Sequence, residues 1–244
     1  IRSLSKCNSF LIEKIREAGY KFADYENYDE FDKSLILRHD VDYNIQKTIK
    51  MAEIESQKNI SATYFVLLTS DFYNLFSKES ESILKKLLKL GHKIGLHFDE
   101  KRYNISFDSW EEQITDLIKN ELHLLSDLIG IDVMAVSMHR PSQQTLNSNL
   151  IIGKGIINSY DKEFFKNIKY ISDSRMKWKE NIIRILESGK YKKIQLLTHP
   201  FWYHDEPLEM KKIIEDFIYC REEIAAHRYK VFENNILIMF SFHF

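Results

Sequence analysis

Four short polar segments carry the side chains best suited to metal binding and acid–base chemistry. They are residues 38–42 (Arg-His-Asp-Val-Asp), 97–100 (His-Phe-Asp-Glu), 139–141 (His-Arg-Pro) and 198–200 (Thr-His-Pro). Imidazoles and carboxylates bind divalent metal ions, and the same groups act as general acids and bases. Each segment lies at the end of a short apolar run typical of a buried strand. Folding alone gives no reason to gather these groups at one place, so the pattern indicates an active site.

Each segment taken singly also has an ordinary structural interpretation. The Asp-x-Asp spacing of Asp40 and Asp42 is expected about once by chance in a chain with this aspartate content, and Asp42 has the position of a helix N-cap. His97 and His199 are each compatible with a structural histidine held by a hydrogen bond. A shared site is favoured because all four segments coincide with the ends of predicted strands.

Alternating apolar runs and amphipathic stretches predict the elements that would position these segments. Seven strands are predicted, at residues 35–39, 62–67, 94–97, 133–138, 156–158, 170–172 and 194–198. Helices are predicted at residues 7–19, 45–58, 79–90, 110–129, 181–187 and 207 to about 240. Strands separated by helices pair in parallel through right-handed crossovers. The prediction is therefore an α/β barrel, closed or nearly closed, with a long C-terminal helical region and reactive groups at the C-terminal strand ends.

Length and charge narrow the class of protein. The 244 residues, 44% of them hydrophobic, predict a single domain spanning 1–244. The 35 basic and 36 acidic residues are spread along the chain, which argues against nucleic-acid binding and a polybasic membrane anchor. No transmembrane-length run or signal peptide is visible, so a cytoplasmic protein is expected. Cys7 and Cys220 suit neither a disulfide scaffold nor a zinc knuckle, and the apolar run 236–240 is compatible with an oligomer interface.

The quoted segments resemble the motifs of the NodB-homology, or polysaccharide deacetylase, superfamily. The first segment resembles the branch with an HDVD first motif, and residues 91–97 (Gly-His-Lys-Ile-Gly-Leu-His) resemble the second motif. Arg140-Pro141 resembles the third motif, and residues 196–199 (Leu-Leu-Thr-His) resemble the fifth. The resemblance spans roughly residues 35–199. It implies a deformed barrel of seven strands and metal-dependent removal of an acyl group from an N-acylated sugar or surface-glycan precursor.

The resemblance also implies a role for each matching residue. Asp40 would be the catalytic base, Asp42 and His97 metal ligands, Arg140 the residue that orients Asp40, and His199 the general acid. The expected cofactor is a divalent ion, with Zn²⁺ preferred. Residues 173–175 (Asp-Ser-Arg) with Trp178 would replace a motif that supports the arginine, although a surface turn is an equal alternative.

One position departs from the family pattern. Lys101 stands where the family has its second metal-binding histidine, and a protonated lysine is a poor ligand at neutral pH. His139 is the preferred replacement, with Asp99 and Glu100 as alternatives, because catalytic zinc usually has three protein ligands. The competing interpretation of His139 is packing against the barrel wall.

Other residues near these motifs are assigned less specific roles. His92 is expected to be structural. Four aromatic residues near the predicted barrel mouth are candidates for stacking on a sugar ring, or else for the core: Tyr43, Trp178, Phe201 and Trp202.

Two rival functions remain open at this point. The first keeps the fold but performs a different amide or acyl reaction on an activated sugar. The second is a metal-free carbohydrate-binding protein on an enzyme scaffold. About one equivalent of bound metal would argue for an enzyme and against the binding protein.

Overall fold

Eight parallel strands form a single sheet in the computed structural model, which describes residues 4–241, with side chains for residues 9–223, 225, 226, 229 and 230. The strands are β1 Lys21–Ala23, β2 Ser34–Val41, β3 Thr63–Val66, β4 Lys93–Phe98, β5 Ala135–Met138, β6 Ile157–Asn158, β7 Lys169–Ser172 and β8 Lys193–Thr198. Seven of them follow the order β6-β5-β4-β3-β2-β8-β7, and β1 pairs with the first half of β2. Since β6 and β7 are the two ends of this order, the barrel is deformed and open between them. The predicted seven-stranded barrel is confirmed, and β1 is an addition to it.

Seven α-helices connect and cover the strands. They are α1 Leu4–Glu17, α2 Lys47–Gln57, α3 Lys78–Lys89, α4 Trp110–Ile129, α5 Gln143–Asn147, α6 Ile182–Ser188 and α7 Met210–Ser241. The bounds of α4 match the prediction, because Gly130 ends the helix in the left-handed conformation with φ 75°. The short helix α5 was not predicted, although Ser142 caps it by accepting a hydrogen bond from the backbone N–H of Thr145. The long C-terminal helix is present, and it begins at Met210, three residues after the predicted start.

Strand β2 is the centre of the sheet, and all eight of its residues are buried. Successive side chains of a strand point to opposite faces. Leu35 and Leu37 therefore pack into the main core with the helices, whereas Ile36 joins a smaller cluster on the other face. Arg38 and Asp40 share the face of Ile36. This alternation places Arg38 and Asp40 inside the barrel with Ile36, and Leu35 and Leu37 under the helices.

The barrel interior contains a polar layer as well as apolar side chains. Arg38 is completely buried there and donates hydrogen bonds to Ser159 Oγ at 2.7 Å and to Ser137 Oγ. Its guanidinium also lies over the Phe65 ring, 5.0 Å from the ring centroid. A Cβ at Gly95 would come within 2.5 Å of that ring, so only glycine leaves room for it. The interior is thus built around one buried cation.

Two further sequence predictions concern the surface. Within residues 4–241, no helix combines the length and apolar character that crossing a membrane requires. The thiol of Cys220 is free and exposed, while the side chain of Cys7 lies outside the described residues. The run 236–240 belongs to α7 by its backbone, but its side chains are also outside the described set, so the predicted oligomer interface stays a prediction.

Candidate metal centre

Three potential metal ligands meet at the C-terminal ends of β2, β4 and β5. The ligand atoms are Asp42 Oδ1, His97 Nε2 and His139 Nδ1. The carboxylate oxygen lies 3.2 Å from His97 Nε2 and 3.3 Å from His139 Nδ1, and the two imidazole nitrogens are 3.1 Å apart. These atoms therefore form a nearly equilateral triangle.

The triangle fits a divalent cation. Zinc binds imidazole nitrogen and carboxylate oxygen at about 2.0–2.1 Å in tetrahedral geometry, which puts the ligand atoms roughly 3.3 Å apart. Asp42 Oδ1 is buried and has no hydrogen-bond partner within the described part of the chain, although two basic nitrogens face it. A cation at the centre of the triangle would satisfy all three atoms. The donor set of two imidazoles and one carboxylate is also that of known catalytic zinc sites.

Both aspartates of the first motif are held in their ionised form. Burial disfavours the charge of Asp42, but the adjacent imidazoles of His139 and His97 lower its pKa well below the usual range. Burial would likewise raise the pKa of Asp40, and the positive charge of Arg38 outweighs it, so this pKa is lowered too. Asp40 Oδ2 lies 3.7 Å from His97 Nε2. An ionised carboxylate thus stands next to the ligand triangle without being part of it.

The arginine that holds Asp40 is Arg38, and here the structure differs from the sequence-based expectation for Arg140. Arg38 NH2 donates to both carboxylate oxygens of Asp40, at 3.0 and 2.7 Å, and Arg38 Nε donates to Oδ1 at 3.2 Å. Arg140 instead forms a two-point ion pair with Asp99. The reason is geometric: residues 38 and 40 lie two apart on one strand and face the same side. Arg140 follows β5, where Asp99 at the end of β4 is its neighbour.

These two ion pairs should contribute very differently to stability. Arg38→Met would leave Asp40 as a buried, unpaired charge, so we expect the free energy of unfolding at pH 7 to fall by about 3–5 kcal/mol. Arg140→Met is the matched control, because the Arg140 side chain is 52% exposed and such pairs contribute about 0–1 kcal/mol. Urea unfolding of the two variants measures the difference. Equal losses would contradict the assignment of Arg38 as the partner of Asp40.

His199 lies beside the ligand triangle, directly after the end of β8. Its Nδ1 is 2.7 Å from Asp173 Oδ1, and its backbone N–H donates to the same oxygen at 3.1 Å. Burial lowers the pKa of His199, but the hydrogen bond and the charge of Asp173, together with the charges of Asp42 and Asp40, raise it to about 9. The protonated ring therefore has Nε2 available, 3.8 Å from Asp42 Oδ2. Asp173 supports this histidine and not, as expected from the resemblance, an arginine.

The alternatives for the third ligand are engaged elsewhere. Asp99 pairs with Arg140, and Glu100 accepts hydrogen bonds from the backbone N–H of Ser142 and the hydroxyl of Thr145. Lys101 is exposed in the short turn after β4. His139 is thus the residue that the structure brings to Asp42 and His97.

The surroundings of Asp42 and His92 bear on the structural roles considered for these two residues. Asp42 does not cap α2, because that cap is Gln46. His92 is buried and bridges α2 to the strand β3 region through Ala52 O and the backbone N–H of Ala62. This bridge agrees with the structural role expected for His92.

The ligand triangle opens into a cleft of about 570 Å³. This volume is within the usual range for small-molecule sites, roughly 300–1,000 Å³. Tyr43 and Trp202 line the cleft, as the sequence suggested, together with the exposed Phe72. Phe201 lies buried behind them, and Trp178 packs against the main core. The aromatic wall of the cleft therefore includes two of the four candidates.

Sequence reasoning missed two residues of the site. Arg38 was quoted as part of the first motif, but its position two residues before Asp40 on a buried strand was the signal that it shares the Asp40 face. Asp173 was singled out, yet its partner depends on the pairing of β7 with β8, which places residue 173 beside residue 199. That pairing has no local signature in the sequence.

No protein-family model matches the sequence, and no curated protein matches it either. The structure is similar to a family 4 carbohydrate esterase from Bacillus anthracis, with 17% identity over 88% of this chain and 86% of that one, at a TM-score of 0.44. It is also similar to a variant of the peptidoglycan deacetylase PdaC from Bacillus subtilis, with 15% identity, 81% and 97% coverage, and a TM-score of 0.46.

A third similar structure is wild-type BA3943 from Bacillus anthracis, described as a CE4 family pseudoenzyme, with 13% identity, 79% and 61% coverage, and a TM-score of 0.43. Likeness of fold does not assign an activity. The functional conclusion therefore depends on the side chains of this chain.

Proposed function

We propose that the protein is a metal-dependent hydrolase that removes the acyl group from an N-acylated sugar. The observation that carries the proposal is the triangle of Asp42, His97 and His139 beside the ionised Asp40. A binding protein has no need for an ionised carboxylate next to three convergent metal ligands. Zn²⁺ is the proposed ion because two imidazoles and one carboxylate suit it better than they suit Mg²⁺ or Ca²⁺.

In this mechanism a divalent ion bound by the triangle supplies Lewis-acid activation, which brings the pKa of water toward about 7. Asp40 accepts the proton of the attacking water, and its ion pair with Arg38 holds both carboxylate oxygens in place for that transfer. The C–N bond of the amide then breaks while His199 Nε2 donates a proton to the departing amine. The products are a free carboxylate and a sugar amine.

The His199–Asp173 pair suits the role of general acid. Asp173 accepts a hydrogen bond from Nδ1, which fixes the ring and leaves the second proton on Nε2. A raised pKa keeps His199 protonated at neutral pH, as an acid requires. The base and the acid thus have opposite charges, and each lies within 4 Å of a member of the ligand triangle.

Metal content and acetate release together test the proposal. Protein purified without chelator should contain about one equivalent of zinc or a similar ion, and it should release acetate from N-acetylated sugars. Dialysis against a chelator should abolish the release, and added Zn²⁺ should restore it. Protein that holds no metal and releases no acetate would refute the proposal and favour the carbohydrate-binding alternative. Metal content without acetate release from any N-acetyl sugar would point to a different acyl reaction.

A further inference from the structure

One charged side chain in the cleft takes part neither in the proposed mechanism nor in an ion pair with another described residue. Arg175 lines the cleft, and it is exposed. None of the carboxylates in the described part of the chain forms an ion pair with it. Arg140, the other arginine of the cleft, is already neutralised by Asp99.

Two further carboxylates of the cleft, Asp99 and Asp71, act on Arg140. Hydrogen bonding to Asp99 raises the pKa of Arg140, and the negative charges of Asp99 and of Asp71 raise it further. The charge of Asp42 would be matched by the bound metal ion. Arg175 is thus left as an uncompensated guanidinium on the cleft wall.

The backbone at this position is strained. Arg175 has φ 55° and ψ 36°, and Met176 has φ 59°, so two consecutive residues with a Cβ occupy the left-handed region. This conformation is unfavourable for such residues and persists only where the surroundings enforce it, most often at active sites and ligand clamps. Asp173, bound to His199, fixes the chain on one side, and Met176 packs into the aromatic cluster of Phe201 and Trp202 on the other. Arg175 is therefore held at the cleft by its anchored neighbours.

We propose that Arg175 binds an anionic group, a phosphate or a carboxylate, on the N-acylated sugar. This inference rests on the proposed function, since it names the class of sugar that the hydrolase would accept. A planar guanidinium offers parallel N–H donors that match both kinds of anion, and a charge-assisted pair of this type is stronger than a neutral hydrogen bond. In the same cleft, the aromatic side chains of Tyr43 and Trp202 provide an apolar surface for the neutral part of the sugar.

Binding to metal-free protein tests the inference, because an anion then has no metal ion to bind. The probes are N-acetylglucosamine, its 6-phosphate and the corresponding uronic acid, titrated into the full chain and followed by NMR. At least one charged probe should bind roughly tenfold more tightly than the neutral sugar. Comparing the affinities of the 6-phosphate and the uronic acid shows which anion the cleft prefers.

Three variants assign this preference to one side chain. Arg175→Met should remove the advantage of the charged probe, and Arg175→Lys should keep part of it, because the charge remains. Lys177→Met is the matched control, since Lys177 is an exposed cation two residues away that does not line the cleft. It should bind the probes as the unchanged protein does.

Equal affinity for charged and neutral probes, including no detectable binding of any of them, would overturn the inference. So would an unchanged preference in Arg175→Met. The two proposals can be refuted independently. If zinc-loaded protein deacetylates neutral and charged sugars equally well, only the role of Arg175 is refuted. A charge preference without acetate release refutes only the hydrolase.

Discussion

Asp40→Asn should lower the rate of acetate release by about 10²–10⁴-fold, the range that one general base typically contributes. The amide of asparagine cannot accept the proton of the attacking water, whereas its shape matches that of the carboxylate. Asp40 is not part of the ligand triangle, so the metal content of the variant should stay near one equivalent. Acetate release and metal analysis on the same sample measure both quantities. Full activity in this variant would remove Asp40 from its role as the base.

The variant needs a control for stability, because a neutral amide at this position would leave the buried Arg38 without its counter-ion. Glu55→Gln provides it. Glu55 is also completely buried, and its carboxylate pairs with His39 at 3.0 Å on the opposite face of β2. This variant should lose stability as well but retain most of its activity. Both should be assayed well below their melting temperatures, and a comparable loss of activity in both would mean that destabilisation, not base removal, explains the result.

Asp42→Ala should lose the metal ion. Removing the only carboxylate of the triangle leaves two imidazoles, and a site with two protein ligands holds zinc weakly. We expect the metal content to fall from about one equivalent to near zero, with acetate release lost as a consequence. Asp42 is partly exposed, so its removal should disturb the core less than a change at Asp40.

Thermal unfolding gives a second measurement for Asp42→Ala. Zinc that binds only the folded state should raise the melting temperature of the unchanged protein and not that of the variant. Asp71→Ala is the matched control, because Asp71 lies in the same cleft but outside the triangle. Metal content that survives in Asp42→Ala would show that the ion binds elsewhere.

Much of the barrel could be predicted because its strands have strong local signals. The run that became β2 is continuously apolar before Arg38, and such runs indicate strands buried on both faces. Strand β1 escaped prediction because its three residues, Lys21–Ala23, carry no periodic pattern and owe their conformation to pairing with β2. The two-residue strand β6 was predicted within one residue. Short elements are therefore recognised only where an apolar run marks them.

The site shows the same division between local and long-range information. Asp42 and His97 were assigned as ligands from strand ends and motif spacing, and the structure places them 3.2 Å apart. The partner of Asp40 was misassigned because the resemblance offered Arg140, while the period of two along β2 pointed to Arg38. Asp173 and His199 meet only through the pairing of β7 with β8. Meetings at the C-terminal ends of strands with strong local signals were thus readable from the sequence, whereas the partners of Asp40 and His199 were not.

The position of Arg38 on the same strand as Asp40 has a consequence for altering the protein. Their alignment is set by the pleat of one strand that is hydrogen-bonded on both sides, and no loop takes part in it. The segments that shape the cleft, around residues 69–72 and 174–176, are connections outside the strands. Those connections should accept sequence from other proteins without moving the proton acceptor. The fold thereby separates the part that would perform the reaction from the part that would choose its substrate.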